Sequence, residues 1–338
     1  MKALLYNFLT KKFTVKNTPL PKIKGDEVLI KIKISALCGT DLHMIDGPLT
    51  EKIYSKKEII LGHSFSGVIS KIGNKVKNFK EGDRVFVSNF VWCGKCRRCK
   101  EKKENLCDDR YIFGMESPGS HAQYLNVPER ALFPLPKDIS FEEGSLICDL
   151  LALACHSIKK ANLLPGQKII IFGAGPVGLA LGTLLKNYGF GSISVAEPVK
   201  YRQRLAKKIF NFAIVDGKKT AGGQEEFQNQ FDVAFETSGA RRAIQAGYRL
   251  LKRGGKLVMI GVQNENFNLN ALKWVSRELT LLGIFNFDSQ DIKKSLGLIR
   301  NKEINLSKII THRFPLAKGA KAYRLLKNRR SGRIVFVI

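Results

Sequence analysis

Ile169-Ile170-Ile171-Phe172-Gly173-Ala174-Gly175-Pro176-Val177-Gly178 is the stretch on which the fold turns. An apolar run of strand length closes on G-x-G-x-x-G, and Leu179 to Lys186 continues as a helix. In that setting Gly173 makes the tight turn, Gly175 lets the backbone approach a pyrophosphate, and Gly178 allows close helix packing. The helix N-terminus then faces the phosphates, so these glycines, with Pro176 and Val177, are the expected dinucleotide contacts. About twenty residues on, at the end of the next strand, stands Glu197, whose carboxylate can accept hydrogen bonds from ribose hydroxyls and would repel a 2′-phosphate. NAD is therefore expected rather than NADP. Arg202 is the nearby cation that could serve a phosphate; beside Glu197 it is expected over the adenine or facing solvent.

Outward from this motif the pattern repeats. Lys168 to Phe172, Ser192 to Ala196, Phe231 to Phe235 and Lys256 to Ile260 are short β-rich runs separated by helix-length stretches, the arrangement of a doubly wound parallel sheet. Upstream, Leu146, Leu150, Leu153 and Ala154 share one helical face, and Pro165-Gly166 ends that segment. The first 130 or so residues read differently. Val28 to Ser35 alternates apolar with polar residues, Phe65 to Ile72 follows Gly62, and Gly82-Asp83 leads into Arg84 to Val91, which suits an antiparallel, barrel-like region.

Inserted after that region are Cys93, Cys96, Cys99 and Cys107, spaced C-x2-C-x2-C-x7-C. Such spacing wraps a short loop round a tetrahedral ion, and four thiolates with no open position describe a structural zinc. The same lobe carries Lys95, Arg97, Arg98, Lys100, Lys102 and Lys103. A zinc held by four thiolates has a net charge of about −2, which nearby cations offset.

The 338 residues exceed what one core usually supports, so two domains are expected. With 57 Lys and Arg against 29 Asp and Glu, the net charge of +28 raises the question of anionic partners. The lysines are spread along the chain and no nucleic-acid module accompanies them, so nucleic acid is not the expected partner. No apolar run approaches the roughly 20 residues that span a bilayer, and MKALLYNFLTKKF lacks a signal-peptide core, so a cytoplasmic, non-membrane protein is expected. The seven cysteines, an odd number, also suit a reducing compartment.

Cys38-Gly39-Thr40-Asp41-Leu42-His43 packs a thiol, a hydroxyl, a carboxylate and an imidazole into six residues, and Gly62-His63 follows. Cysteine and histidine supply two of the three protein ligands of a catalytic zinc that keeps a position open; singly, Cys38 and His63 also read as core residues.

The ordered set C-G-T-D-x-H, G-H, G-D-R-V, C-x2-C-x2-C-x7-C and G-A-G-P-V-G resembles the zinc-dependent medium-chain alcohol and polyol dehydrogenases, the sorbitol and threonine dehydrogenases among them, over nearly the whole chain. The closing Thr311-His312-Arg313-Phe314-Pro315-Leu316 is similar too. This resemblance implies a GroES-like β-barrel catalytic domain over residues 1–150, with the zinc lobe at about 90–110. A Rossmann domain follows over 151–285, and residues 286–338 return to the catalytic domain. It implies one catalytic and one structural zinc, NAD, a homo-oligomer (dimer or tetramer), and reversible oxidation of a secondary alcohol, a polyol or sugar alcohol, to a ketone. L-threonine and sugar phosphates are the substrate alternatives within the family. Asp149-Leu150-Leu151-Ala152-Leu153-Ala154-Cys155-His156 is similar to the family's E-P-L-x-x-x-x-H stretch, which makes Asp149 the third ligand of the catalytic zinc, with adjacent Cys148 as the competitor. The resemblance also implies that Thr40 takes the released proton and passes it by way of the nicotinamide ribose to His43, and that Asp41 orients a zinc ligand, His63.

Two departures stand out. Ser64 occupies the place where the family usually has Glu, so a negative charge behind the metal is missing; this keeps a non-catalytic NAD- or nucleic-acid-binding protein as the alternative of a different class. Ser120-His121-Ala122-Gln123-Tyr124 stands where similar enzymes often read G-x-F-A-E-Y, and His121 is expected at the surface, with a place lining the cleft as the alternative.

Overall fold

The computed structural model describes residues 1–46, 57–216, 229–262 and 266–338. Two compact units emerge: Met1–Asp149 with Asp288–Ile338, and Leu150–Phe287.

The first unit is built round the strand Glu27–Ala36, which pairs on one edge with Ser64–Ile72 and on the other with Tyr124–Pro128 and Arg333–Val337, all antiparallel. Arg84–Val87, Leu132–Pro134 and Ile310–Phe314 extend this into a seven-stranded sheet. Val28, Ile30 and Ile32 point to one side and meet Phe65, Ile69, Val85, Val87, Phe113, Leu125 and Val127 in a closed apolar core, whereas Lys31 stays exposed. This is the period-2 alternation that buries one face of a strand. The expected run Arg84 to Val91 is interrupted: strand Arg84–Val87 ends, and Phe90–Val91 pairs instead with Tyr111–Ile112. That short ladder closes the neck of the cysteine lobe.

Register explains the convergence that matters most. Ala36 pairs with Ser64 and with Val335. The residues just beyond these pairs, Cys38, His63 and Arg333, are thereby brought together from three distant parts of the chain. The fourth contributor arrives on a helix. Ser140 caps Phe141–Leu146 with a full capping box to Glu143, and the chain continues as a π-helical turn, Ile147–Ala152, before Leu153–Ala161. A π-turn adds a residue to the helical register, so the expected single α-helical face from Leu146 to Ala154 is broken: Leu146, Leu150 and Ala154 are buried, and Leu153 is half-buried. Such turns occur often where a helix must aim a functional side chain; here it holds Asp149.

In the second unit six parallel strands run across the sheet in the order Ala213–Asp216, Ile193–Glu197, Ile169–Phe172, Phe231–Glu236, Leu251–Met259, Thr280–Gly283. In chain order this is 3-2-1-4-5-6, with the switch point beside Ile169–Phe172 where the glycine loop begins. Ile169, Ile170 and Ile171 are fully buried, as strands covered on both faces should be. Leu251–Met259 begins earlier than expected because Gly254, at φ +72°, carries the backbone through what reads as a turn. Among the described residues no helix is long and apolar enough to cross a membrane.

Candidate active site

The strand Glu27–Ala36 runs into Leu37-Cys38, after which the helix Gly39–Asp46 starts. On that helix Asp41, Met44 and Ile45 are buried, which leaves Thr40 and His43, three residues apart, together on the other face. Thr40 Oγ1 lies 3.5 Å from Cys38 Sγ. Burial holds the His43 pKa below its ordinary value, so the ring is a neutral base at physiological pH.

Cys38, His63 and Asp149 are all buried, and each turns a ligand atom to within 4.8 Å of the others. His63 Nε2 faces Asp149 Oδ1 at 3.6 Å, and its Nδ1 faces Asp41 Oδ1 at 3.5 Å. Burial by itself lowers the pKa of His63, yet hydrogen bonds to Asp149 and Cys38 and the charge of Asp41 carry it well above the ordinary value. The pocket thus attracts positive charge to its centre, the electrostatic complement of a dication, and its thiolate, imidazole and carboxylate donors suit zinc with a position left open. Cys148 is also buried, with its thiol pushed up by burial and by Asp149, but it is not part of this group.

One member of the site escaped the sequence reading. Arg333 is 1% exposed, bonds to Asp149 Oδ2, and donates to Ser64 Oγ at 2.9 Å. Burial would raise the Asp149 pKa, but the Arg333 guanidinium and the His63 hydrogen bond more than reverse this and hold its carboxyl well below the usual range. Asp149 therefore offers Oδ1 toward His63 while Oδ2 is held by Arg333. With Ser64 in place of a carboxylate, the charge of Arg333 is directed at the ligand Asp149.

The cysteine lobe is equally well formed. Sγ separations are 3.9 Å for Cys93–Cys99, 3.5 Å for Cys96–Cys99 and 3.9 Å for Cys96–Cys107, close to the roughly 3.8 Å edge of a tetrahedron with metal–sulfur bonds of about 2.3 Å. None of the four is in a disulfide. Backbone N–H groups of Lys95 and Cys96 pull Cys93 down to about 6, whereas burial pushes the thiols of Cys99 and Cys107 up, so metal binding here would displace thiol protons. The exposed Arg97, Arg98 and Lys103 all pair with Glu101, so part of the local positive charge is spent within the lobe.

At the glycine loop Gly173 has φ +103°, and a Cβ on Gly178 would stand 2.0 Å from the Gly173 carbonyl oxygen. A Cβ on Gly175 would meet only Arg202, at 3.7 Å from Nη1. The space above Gly175 is thus open for a pyrophosphate, with Arg202 beside it rather than turned to solvent. Pro176 begins the helix Pro176–Asn187. Glu197 accepts from Ala174 N and Val199 N, both at 2.8 Å, which fixes its carboxylate against the loop with lone pairs to spare.

Comparison with known proteins identifies the family. Residues 24–137 match the family described as alcohol dehydrogenase GroES-like domain, and residues 176–301 match zinc-binding dehydrogenase. The sorbitol dehydrogenase of Bacillus subtilis is 32% identical over 320 residues, covering 93% of this chain and 90% of its own. Probable D-xylulose reductase A of Emericella nidulans is 31% identical over 320 residues, covering 91% and 89%. Among solved structures, 2R,3R-butanediol dehydrogenase from Bacillus subtilis superposes with TM-score 0.85 at 25% identity, over 100% of this chain and 99% of that one. Galactitol-1-phosphate dehydrogenase from Escherichia coli, at 24% identity and TM-score 0.87 with 100% of both chains covered, shares the fold. The chain, whose matched residues cover a GroES-like domain and a zinc-binding dehydrogenase domain, belongs to the zinc-dependent medium-chain alcohol and polyol dehydrogenases.

Proposed function

We propose that this protein oxidises a secondary alcohol, a polyol or sugar alcohol, reversibly to the ketone, with hydride passing to NAD. The observation that carries this is the buried triangle of Cys38, His63 and Asp149 with the Thr40 hydroxyl against it. Cys38, His63 and Asp149 would hold the zinc, whose Lewis acidity would lower the pKa of the substrate hydroxyl, and NAD at the glycine loop would supply the hydride acceptor. Thr40 accepts the departing proton, and His43, neutral and on the same helix face, exchanges it with solvent. Asp41 keeps Nε2 of His63 turned toward the other two ligands. The sorbitol and xylulose names of the relatives support a polyol substrate. A panel of polyols, amino alcohols and sugar phosphates, with NAD or NADP and zinc supplied, tests the reading by NADH absorbance. Turnover of a polyol with NAD is expected; preference for threonine or a sugar phosphate moves the assignment within the family, and no turnover of any defeats it.

Glu197 carries the preference for NAD. Glu197→Ala is expected to weaken NADH binding about tenfold while narrowing the preference over NADPH, because a charge-assisted acceptor is removed; fluorescence titration with both cofactors checks it, and unchanged affinities remove Glu197 from this role. Self-association is supported by the second unit's outer strand Thr280–Gly283, where Leu281 is 41% exposed and the neighbouring Leu272 and Val275 are 78% and 73% exposed. Unpaired strand edges flanked by apolar side chains favour pairing with a second copy. Light scattering should give a dimer or tetramer.

A further inference from the structure

Behind the metal-ligand triangle lies a buried polar network that the proposed mechanism does not use. His121, expected at the surface, is fully buried, as are Ser35 and Ser120, while Tyr323 is 3% exposed. The expectation failed because the loop carrying His121 is drawn inward by the backbone: His121 N donates to Leu61 O and its carbonyl accepts from Leu4 N. The ring packs edge-on against Phe336 at 4.9 Å and lies directly over Gly62, where a Cβ would come 2.5 Å from His121 Nδ1. The residue after Gly62 is the ligand His63.

The polar groups converge on Asp41. His121 Nε2 lies 2.9 Å from the Tyr323 hydroxyl and 3.9 Å from Asp41 Oδ2. A carboxylate only accepts, so an N–H on Nε2 suits both neighbouring oxygens, and His121 Nδ1 then accepts from Ser35 Oγ at 2.8 Å, with Ser120 Oγ 2.6 Å from Ser35 Oγ. Burial, the largest cause, holds the His121 pKa down to about 3, so the ring is neutral and carries a single N–H.

Asp41 Oδ2 also accepts from Cys38 N at 2.9 Å, whereas Oδ1 and His63 Nδ1 face each other at 3.5 Å and have no other partner. One carboxylate oxygen is anchored and the other is kept for the imidazole. We propose that His121 and Tyr323 are positioning residues for the metal site, anchoring Asp41 so that His63 presents Nε2 toward Cys38 and Asp149. This rests on the reading that those three residues hold zinc. The similar G-x-F-A-E-Y pattern, with Phe at this place, could not bond to Tyr323, so the anchor belongs to this chain's own departure from it.

The test uses the zinc-loaded, full-length protein, with the four-cysteine zinc as an internal reference. Tyr323→Phe deletes one buried oxygen and keeps the ring stacked on Phe13, at 4.1 Å. His121→Gln retains an N–H near Nε2, and His121→Phe retains none. Zinc release is titrated with a chelator, and the visible spectrum of the cobalt-substituted protein reads the geometry at the ligand triangle. Tyr323→Phe and His121→Phe should release the triangle's zinc roughly tenfold more readily and shift the cobalt bands. His121→Gln should stay within about threefold of the parent protein. Release and spectra unchanged in Tyr323→Phe overturn the proposal even where the melting temperature falls, since a role in packing alone has that signature. Glutamine behaving like phenylalanine at 121 overturns it too, and should His121→Phe not fold, Tyr323→Phe decides. A parent protein that binds zinc only at the cysteines defeats the site reading itself, before any variant is compared.

Discussion

Arg333→Met is expected to lower the melting temperature of the first unit by roughly 10 °C. The guanidinium is buried at 1% exposure and bonds to Asp149 and Ser64. Methionine fills similar volume but leaves the Asp149 carboxylate buried without its cation. Breaking a buried ion pair by removing one partner costs about 3–5 kcal/mol, and for a unit of this size each kcal/mol moves the midpoint by about 2–4 °C. The pair itself adds little beyond an apolar replacement, because both charges were desolvated to make it. The double variant Arg333→Met with Asp149→Leu should therefore recover much of the loss in metal-free protein, a coupling that the double-mutant cycle measures directly. Thermal melts monitored by near-UV circular dichroism decide it. A single variant within about 2 °C of the parent would show that the ion pair does not support the fold.

Asp149→Ala is expected to cost at least a thousandfold in kcat/KM, with loss of the zinc at the triangle and retention of the zinc at the cysteines. A metal's Lewis acidity at a reacting oxygen supplies several kcal/mol, and each 1.36 kcal/mol is about tenfold in rate. Cys148→Ala is the control. That thiol lies next in sequence and is buried, but its sulfur is not in the ligand group with Cys38 and His63, so the substitution should leave zinc content unchanged and rate within a few-fold of the parent. The opposite pattern would transfer the ligand role to Cys148.

What could be read from the sequence was what is local in the chain. The four cysteines at 93, 96, 99 and 107 hold one another's spacing, and the glycine loop sits between its own strand and helix, so both motifs carry their geometry with them. Arg333 does not. It meets Asp149 across 184 positions and Ser64 across 269, and in Gly332-Arg333-Ile334-Val335-Phe336 a cation opening an apolar strand looks like any solvent-facing end. Only the pairing of Ala36 with both Ser64 and Val335 brings it inward. His121 was misplaced for a related reason: a histidine among Ser, Ala and Gln reads as surface, and nothing nearby announces Tyr323 as its partner. The π-turn at Ile147–Ala152 was invisible because it changes the register of a helix without changing its composition.

The chain is expected to hold a second zinc, apart from the one that braces the cysteine lobe. Metal content of freshly purified protein, measured by mass spectrometry alongside protein concentration, tests it most directly. About two zinc ions per chain are predicted, falling to about one in Cys38→Ser with the cysteine lobe intact. About one zinc per chain in the parent protein, unaffected by Cys38→Ser, would contradict the account and leave the triangle of Cys38, His63 and Asp149 without its metal.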